Sequence, residues 1–515
     1  MLNRDLYRQF LQEIPVFDEK IHAFEAGEID RNTFKGISGG FGSYAQREGG
    51  YMLRLRLPGG RITKDILSFL AQEISSRHIN LLKITTCQTI QLHNLSADDT
   101  VGAMRNALEA GIITKGGGGD NPRNAMASPL SGVEPGEAFD VLPYVQAAGE
   151  YLLSRMPGLH MPRKLKVGFS NTAANETHAT FRDLGFAARQ DGSFSVYCAG
   201  GLGPNPKLGV HVADGVCPQE ISHWISAMIR LFTAYGNYES RAKARTRYLQ
   251  DTLGPERLRQ LFLEFVEKAK AEENAWPIPE PAAITKTGSK SISGKRIVPQ
   301  KQKGLYAVSY HPLGGCLPPD KPAQLLNVIR GMEQTEVRLS PDGTLYIINL
   351  TAEEVPAVLK ATDDGAQTLF ESSVSCIGSS ICQHGLRNSQ GLLAACIERV
   401  GRENLEDNVL PKIHISGCPS SCGSHQVAVI GLVGHSKKVD NTVRSAFRVF
   451  VNGCESDPGA RLGTEKGVML ESVIPDFFAE LGRRIQDKHT SFAAWFPGHE
   501  EELDQLIQEY CRKTA

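Results

Sequence analysis

YMLRLRLPGG at residues 51–60 is matched by YAVSYHPLGG at residues 306–315, where the tyrosine and the paired glycines recur 255 positions further along the chain. The alignment continues without a gap from residue 51 to residue 98. Further matches at this offset are Lys83 with Arg338, Thr89 with Thr344, Asn94 with Asn349, Leu95 with Leu350, and Ala97 with Ala352. A gap-free match of this length indicates an internal duplication.

The first copy has the pattern of a mixed α and β unit. Residues 51–57 alternate apolar and basic side chains, as a half-buried strand does, and Pro58-Gly59-Gly60 ends the strand. We predict a helix over 63–78, two strands within Leu81–Leu95 around a turn near Thr85–Cys87, and a second helix over roughly 97–110. Two short helices are predicted within residues 1–50.

Composition places the chain among large globular proteins. A length of 515 residues predicts two or three domains, and a net charge of -1 gives no overall attraction to nucleic acid or membrane. The N-terminus has early acidic residues and no apolar core, and no stretch approaches the roughly 18 to 20 apolar residues of a membrane span. We therefore expect a cytoplasmic protein with neither nucleic acid nor membrane as a partner.

A basic segment separates the two copies. Residues 281–303 contain six Lys or Arg and no acid, and Pro277 and Pro279 precede them. This composition is typical of an exposed linker.

Four of the 11 cysteines stand in two close pairs. Cys376 and Cys382 form a C-x5-C pair, and Cys418 and Cys422 form a C-x3-C pair. Four thiolates can hold an iron–sulfur cluster, and the Gly, Ser and Pro residues between them let the backbone approach an inorganic core. Zinc favours tighter spacings, so the cluster is the favoured interpretation; a zinc site and unligated cysteines remain alternatives.

The cysteine segments SCIGSSICQHGL (375–386) and HISGCPSSCGSHQ (414–426) resemble the paired cluster motifs of the sirohaem sulfite and nitrite reductases. The resemblance extends over nearly the whole chain, in the family's order. It includes YAQREGGYMLRLRLPGG (44–60), GDNPRNAMASPLSG (119–132), MPRKLKVGFS (161–170) and SRAKARTRYLQDTLG (240–254).

This resemblance implies an internally duplicated α+β fold. Two ferredoxin-like half-domains and two α/β domains for sirohaem and a 4Fe-4S cluster would surround a pseudo-twofold axis. The predicted boundaries are an N-terminal extension 1–50, half-domain 51–112, sirohaem and substrate domain 113–275, basic linker 276–303, half-domain 304–370, and cluster and sirohaem domain 371–515.

The resemblance also implies the site residues. Cys376, Cys382, Cys418 and Cys422 would hold the 4Fe-4S cluster, and Cys422 would also ligate the sirohaem iron. The catalytic cations around the substrate would be Arg54, Arg123, Lys164 and Lys166, and polar contacts to the cofactor would come from Gln88, Gln91, His93 and Asn121. Many relatives have Arg where this chain has Cys87, so either another cation compensates or sirohaem is held less tightly there.

The offset of 255 suggests a division of labour between the copies. It aligns Arg54 with Ser309, and, more loosely, Asn121 with Cys376 and Arg163 with Cys418. The first copy would then supply cations to one face of the macrocycle, and the second copy would supply thiolates to the other face.

The predicted activity is the six-electron reduction of sulfite to sulfide. A small dianion needs fixed cations, and the second lysine of Lys164-Leu165-Lys166 favours sulfite over nitrite, whose reduction to ammonia is the alternative. An iron–sulfur electron carrier or a metal-binding structural protein is the non-enzyme alternative. No segment suggests a flavin or nicotinamide domain, so the electron donor would be a separate ferredoxin or flavoprotein subunit.

Overall fold

A computed structural model describes residues 4–514. These residues form two compact units. The first contains the chain up to Gly201 together with Lys207–Tyr310 and Leu317–Asp363, and the second contains Leu202–Pro206, His311–Cys316 and the chain from Asp364 onward.

The two copies found in the sequence form two antiparallel sheets in the first unit. The first half-sheet contains the strands Ser43–Ala45, Tyr51–Leu55, Leu82–Ile84 and Ile90–Leu95, with the helices Lys64–Ser76 and Ala97–Glu109. The second half-sheet contains the strands Ile297–Pro299, Leu305–Tyr310, Glu336–Leu339 and Leu345–Thr351, with the helices Lys321–Ile329 and Val355–Ala361. The mixed α and β prediction for this region is confirmed.

The strand registers repeat at the predicted offset. Tyr51 lies opposite Leu95 in the first half-sheet, and Tyr306 lies opposite Leu350 in the second. A β-bulge follows at the same place in both sheets, directly after these pairs. The offset of 255 therefore holds in three dimensions.

One side-chain interaction accounts for the repeated asparagine. Asn94 and Asn349 both have left-handed backbone, with φ of 61° and 62°, a conformation that asparagine tolerates better than most residues. Gln46 Nε2 donates to Asn94 Oδ1 at 2.7 Å, and Gln46 Oε1 accepts the backbone N–H of Asn94 at 2.9 Å. In the same way, Gln300 Nε2 donates to Asn349 Oδ1 at 2.9 Å, and Gln300 Oε1 accepts the backbone N–H of Asn349 at 2.7 Å.

The half-sheets are joined by an exchanged edge strand. Arg61–Ile62, which follows the first glycine pair, pairs with Glu336–Leu339 of the second half-sheet. Gly60 makes this possible because a side chain there would meet the Leu339 carbonyl oxygen at 2.6 Å.

The N-terminal segment is part of the first half-sheet's fold. The helices are Arg4–Glu25 and Arg31–Phe41, so the first of them is long where a short one was predicted. Phe17 and Ile21 are fully buried in the same core as the half-sheets, and strand Ser43–Ala45 lies at the sheet edge. The predicted boundary after residue 50 therefore cuts through this sheet.

The basic segment is mostly exposed, as predicted, but it is anchored at two places. The Lys286 ammonium group is buried, 2.6 Å from the Glu354 carboxylate and 2.7 Å from the Asn349 carbonyl. Ile297–Pro299 pairs with Leu305–Tyr310, so the predicted linker end at residue 303 lies inside the second half-sheet.

A mixed sheet follows each half-sheet. The first mixed sheet, in the first unit, has the strands Met126–Ala127, Val167–Ser170, Leu184–Ala188, Phe194–Cys198 and Val210–Val216. The second, in the second unit, has the strands Val374–Ser375, His414–Ser416, Ile430–Val439, Thr442–Val451 and Thr464–Leu470. In both, the first three strands are parallel and the last two antiparallel.

Apolar helices cover both mixed sheets. The helices of the first are Leu142–Ser154, Ile221–Tyr235, Leu249–Leu253 and Pro255–Glu272. The helices of the second are Ser389–Gly401, Ile474–Gln486, Phe492–Trp495 and Glu500–Arg512.

The offset between the mixed sheets differs from that between the half-sheets. Gly168 pairs with Gly185, and His414 pairs with Gly431 in the corresponding ladder, which gives an offset of 246. The alignments of Asn121 with Cys376 and Arg163 with Cys418 are therefore wrong, because the offset changes in the connection that precedes these sheets and again between their first and second strands.

Across residues 4–514, the structure contains no helix with both the length and the apolar composition needed to cross a bilayer.

Candidate functional site

Three of the four predicted substrate cations come together in the first unit. Arg54 extends from strand Tyr51–Leu55, and its Nη1 donates to the Gly117 carbonyl. Arg123 donates to the same carbonyl and, at 2.7 Å, to the Gly119 carbonyl. Lys166 precedes strand Val167–Ser170, and electrostatic interactions with Cys87 link it to the two arginines. We call Arg54, Arg123 and Lys166 the basic cluster.

The basic cluster has unused hydrogen-bond donors. The Nε atoms of Arg54 and Arg123 are buried and have no hydrogen-bond partner. Within residues 4–514 neither guanidinium forms an ion pair with a carboxylate. Buried donors and charges of this kind are costly unless an anion meets them. The arrangement fits a small oxyanion or a cofactor carboxylate.

Arg56 supports the basic cluster by holding the backbone next to Arg123. It is 4% exposed and donates to the carbonyls of Pro122, at 3.1 Å, and Arg123, at 3.0 Å. Burial and the neighbouring Arg123 lower the Arg56 pKa to about 9, and burial lowers the Arg123 pKa to about 10. Both therefore remain cations at neutral pH.

Tyr44 lies beside the basic cluster and interacts electrostatically with Arg123 and Arg54. Its hydroxyl oxygen accepts the Gly119 N–H at 2.7 Å. Burial opposes ionisation of Tyr44, but Arg123, this hydrogen bond and Arg54 outweigh burial and lower its pKa. Sequence reasoning missed Tyr44 as a site residue, although it is the first residue of the family-like segment 44–60.

Cys87, the departure from the family pattern, lies against Lys166. The lysine ammonium group and the thiol interact electrostatically. Burial opposes formation of the thiolate, yet Lys166, Arg182 and Arg54 lower the Cys87 pKa to about 6. Burial lowers the pKa of Lys166, and the interaction with Cys87 offsets only part of this shift.

Two further arginines lie close to Lys166, and one of them, Arg182, also interacts with Cys87. Arg182 is buried and donates to the Thr177 carbonyl, at 2.6 Å, and to the Thr86 carbonyl, at 3.3 Å. Arg245 is paired with the buried Asp183 at 3.1 Å. Sequence reasoning missed both as site residues, although the basic run 240–254 was a signal for Arg245.

The residues predicted to contact the cofactor differ in the hydrogen bonds that they already form within the protein. Gln88 is buried, and its Nε2 donates to the carbonyls of Ala127, at 2.8 Å, and Leu339, at 2.6 Å, while its Oε1 accepts the Ala127 N–H at 3.0 Å. These contacts make Gln88 a structural brace, because its two amide hydrogens are already used. Asn121 donates to the Gly118 carbonyl at 3.3 Å.

Gln91 and His93 lie on the strand next to Arg54. Gln91 pairs directly with Arg54 and with Lys83 in the first half-sheet. His93 Nδ1 lies 3.1 Å from Gln46 Oε1, and its Nε2 is buried without a partner. Burial, Arg54 and Lys83 lower the His93 pKa to about 3, so the ring is neutral.

Lys164 is half-buried, two residues before Lys166. No contact described above ties it to the basic cluster, and its role there remains a prediction.

The cysteine pairs lie at the carboxyl ends of two neighbouring parallel strands in the second unit. Cys376 directly follows Val374–Ser375, and Cys418 closely follows His414–Ser416. The Gly417 N–H donates to Cys376 Sγ at 3.1 Å, and Ser389 Oγ lies 3.1 Å from the same sulfur. Such donors stabilise thiolate ligands of iron–sulfur clusters.

The four thiols fit a cluster by their chemistry. Burial raises the Cys382 pKa, and charge interactions with Cys422 and Cys376 raise it further, so these three sulfurs lie within electrostatic range of one another. In the described part of the chain, no three His, Cys, Asp or Glu side chains converge as ligands of one metal ion. A cubane cluster is a larger body, whose corners each take one thiolate.

Comparison with known proteins identifies the family. The family model described as the nitrite and sulphite reductase 4Fe-4S domain matches residues 118–270. The nitrite/sulfite reductase ferredoxin-like half domain matches twice, at residues 44–110 and 298–364. These matches cover more than half of the chain and reproduce the duplication.

Comparisons with individual proteins agree with the family models. The chain is 28% identical to a ferredoxin--nitrite reductase of Synechococcus elongatus, over 84% of this chain and 86% of the relative. It is 24% identical to sulfite reductase [ferredoxin] 1 of Mycolicibacterium paratuberculosis, over 92% and 90%. The solved structure of the Mycobacterium tuberculosis NirA protein has the same fold, with a TM-score of 0.76 at 22% identity, covering 94% of this chain and 95% of that one. The chain belongs to the sirohaem-dependent nitrite and sulfite reductase family.

Proposed function

We propose that this chain reduces sulfite to sulfide, with sirohaem and a 4Fe-4S cluster as cofactors. The observation that carries the proposal is the basic cluster, in which the buried Nε atoms of Arg54 and Arg123 have no partner. A buried dianion requires several fixed cations, and this region supplies them.

The residues of the basic cluster have distinct roles. Arg54 and Arg123 hold the oxyanion through directional hydrogen bonds, since the backbone carbonyl of Gly117 fixes both guanidinium groups. Lys166 provides a compact positive charge and a proton for the departing oxygen. Lys164 is proposed as a second source of both. When bound, the two cofactors supply the electrons that the reaction consumes.

The cysteines of the second unit hold the cluster. We assign Cys376, Cys382, Cys418 and Cys422 as its ligands, and Cys422 also as the ligand of the sirohaem iron. The Gly417 N–H beside Cys376 stabilises a thiolate there.

Nitrite is the second candidate substrate, because relatives of both kinds match. The relative from Synechococcus elongatus is named a nitrite reductase, and the one from Mycolicibacterium paratuberculosis a sulfite reductase. Both names specify ferredoxin, so we propose a ferredoxin as the electron donor, with a flavoprotein as the alternative.

Steady-state kinetics on both anions tests the proposal. With a strong artificial donor, we expect a higher kcat/KM for sulfite than for nitrite. Lys166→Asn should lower sulfite turnover more than nitrite turnover, because it removes a charge that a dianion needs more than a monoanion does. The exposed Lys243→Asn is the matched control.

The outcomes separate the alternatives. A higher kcat/KM for nitrite would reverse the choice of substrate. An absorption spectrum with cluster bands but without sirohaem bands, and no turnover of either anion, would instead identify an electron carrier.

A further inference from the structure

Strand Ile90–Leu95 of the first half-sheet carries polar side chains on the same face as Arg54. Alternate residues of this strand and of strand Tyr51–Leu55 are buried in the apolar core, namely Leu53, Leu55, Ile90 and Leu92. Side chains alternate along a strand, so Gln91 and His93 lie on the opposite face, together with Arg54, which pairs with Gln91. His93 is therefore a near neighbour of Arg54, on the face that carries part of the basic cluster.

The Gln46 carboxamide can lie in only one orientation. A backbone N–H only donates, so the Gln46 atom 2.9 Å from the Asn94 backbone nitrogen is the oxygen Oε1. Gln46 Nε2 then donates to Asn94 Oδ1 at 2.7 Å, while Asn94 Nδ2 donates to Asn80 Oδ1 at 2.8 Å. Exchanging the oxygen and nitrogen of Gln46 would set two donors against each other at the Asn94 backbone.

This orientation of Gln46 fixes the tautomer of His93. The Nδ1 atom of His93 lies 3.1 Å from Gln46 Oε1, which can only accept, so Nδ1 carries the hydrogen. Burial beside Arg54 and Lys83 lowers the His93 pKa to about 3, so no second proton is bound. Nε2 is therefore an acceptor; the ring is only 3% exposed, and no donor within residues 4–514 meets this atom.

A fixed acceptor at this place needs a partner that can donate. An ionised oxyanion and an ionised cofactor carboxylate only accept, so neither can bond directly to Nε2. Water has two hydrogens, and buried water commonly satisfies polar groups that have no partner in the protein. One water molecule can therefore donate one hydrogen to His93 Nε2 and the other to an anion held by Arg54.

We propose that His93 Nε2 binds an ordered water molecule that donates its second hydrogen to the oxyanion, and that Gln46 is a positioning residue that keeps Nε2 an acceptor. The inference rests on the proposed function, which places the oxyanion at the basic cluster. His93 acts through the water alone: its ring keeps the hydrogen on Nδ1 and forms no bond to the substrate.

The second half-sheet has the same glutamine and asparagine without the histidine. Gln300 binds Asn349 as Gln46 binds Asn94, but Ile348 stands where the first copy has His93. Ile348 is fully buried in a small apolar cluster. Holding the asparagine therefore requires no imidazole, and the second copy provides a matched control.

Neutron diffraction from crystals of the deuterated holoenzyme with bound sulfite tests the water site directly. We expect deuterium on Nδ1 of His93 and none on Nε2. A heavy-water oxygen should lie about 2.7 to 3.2 Å from both Nε2 and the anion. Deuterium on Nε2, or a protein atom, a cofactor atom or the anion itself in place of the water, would overturn the inference.

Dissociation constants of sulfite and nitrite, read from the change in sirohaem absorption of the holoenzyme, test the role of the water. His93→Leu removes the acceptor and should raise both constants by about tenfold. His93→Gln keeps an amide oxygen that can accept in place of Nε2, and should stay within about threefold of the wild type.

The two glutamines separate this role from a structural one. Gln46→Leu and Gln300→Leu both remove the bonds to an asparagine, so both should unfold at lower urea concentration than the wild type. Only Gln46→Leu should weaken anion binding, by about threefold or more, because only there does the glutamine fix a histidine tautomer. This pair also decides the matter if His93→Leu does not fold.

The outcomes are distinguishable. If the wild type reduces an anion while His93→Leu and Gln46→Leu bind it as tightly as the wild type, the inference fails and the proposed function stands. If Gln300→Leu weakens binding as much as Gln46→Leu, the effect is structural and the inference fails. If the wild type binds and reduces neither anion, the proposed function fails and the inference fails with it.

Discussion

The loop at residues 171–178 of the first mixed sheet and the loop at 417–424 of the second have the same backbone but different chemistry. Asn175 and Ser421 are left-handed, with φ of 52° and 53°, and so are His178 and Ser424, with φ of 59° and 57°. The next strands also begin alike. A Cβ at Gly185 or Gly431 would lie 1.8 Å from the carbonyl oxygen of the residue directly after the loop, Ala179 or His425.

One contact shows how the chemistry changed on this shared backbone. The Asn171 N–H donates to Ser128 Oγ at 3.1 Å, and the Gly417 N–H donates to Cys376 Sγ at 3.1 Å. At the same offset of 246, Thr172 and Glu176 correspond to Cys418 and Cys422.

The comparison teaches that the loop backbone does not itself specify a cluster. Hydroxyl and carboxylate oxygens are not the ligands that a 4Fe-4S cluster takes, so only the copy with the thiols has the ligands that we propose for it.

The sharpest test of this comparison replaces the corresponding residues Cys422 and Glu176. Cys422→Ser should abolish cluster, sirohaem and turnover together, because it removes a ligand that we propose both cofactors share. Glu176→Gln should retain normal iron and sirohaem content. Iron and sirohaem analysis beside turnover decides this, with Cys454→Ser as a cysteine control that should keep all three. Normal sirohaem in Cys422→Ser would remove this cysteine from the site.

A second test compares the half-sheets, in which Arg54 and Ser309 correspond. Arg54→Ser removes one charged hydrogen-bond donor from a buried anion, at a cost of about 2 to 4 kcal/mol, so turnover should fall by roughly a hundredfold. Ser309→Ala should change turnover little, and both variants should keep their cofactors. Equal losses of activity would contradict the division into a substrate half and a cluster half.

The sequence predicted the half-sheets because their duplication has no gap from residue 51 to residue 98. It could not predict the register of the mixed sheets. The offset falls from 255 at Asn94 and Asn349 to 248 at Met126 and Val374, so the second copy's connection is seven residues shorter. Loops accept such changes at little cost, and a fixed offset cannot follow them.

The same limit applies to the site. The cysteine pairs are close in sequence, so their spacing marks them as candidate ligands, and that assignment stays a prediction. Tyr44 and Arg182 reach the site only through contacts between distant segments, with Gly119 and with Thr86. Gln88 was predicted as a cofactor contact from its place in a motif, but its hydrogen bonds to Ala127 and Leu339 form only when the first mixed sheet and the second half-sheet pack against the turn that carries it.

The smallest expected effect concerns the asparagines that both half-sheets keep. Alanine at Asn94 or Asn349 would retain the left-handed φ without the asparagine's tolerance for it, and would remove the Oδ1 acceptor of the Gln46 or Gln300 side-chain amide. We expect Asn94→Ala to lower the free energy of unfolding by about 1 to 2 kcal/mol.

Asn349→Ala should cost more, about 2 to 4 kcal/mol, since Asn349 is only 4% exposed and Asn94 is exposed. Glycine accepts the left-handed backbone, so in both places it should recover part of the loss. Urea unfolding of the four variants, followed by circular dichroism, measures the differences. The contrary outcome is that alanine costs little at Asn349 and much at Asn94. The repeated asparagine would then not stabilise the two half-sheets in the same way, and the two sites would share only their backbone conformation.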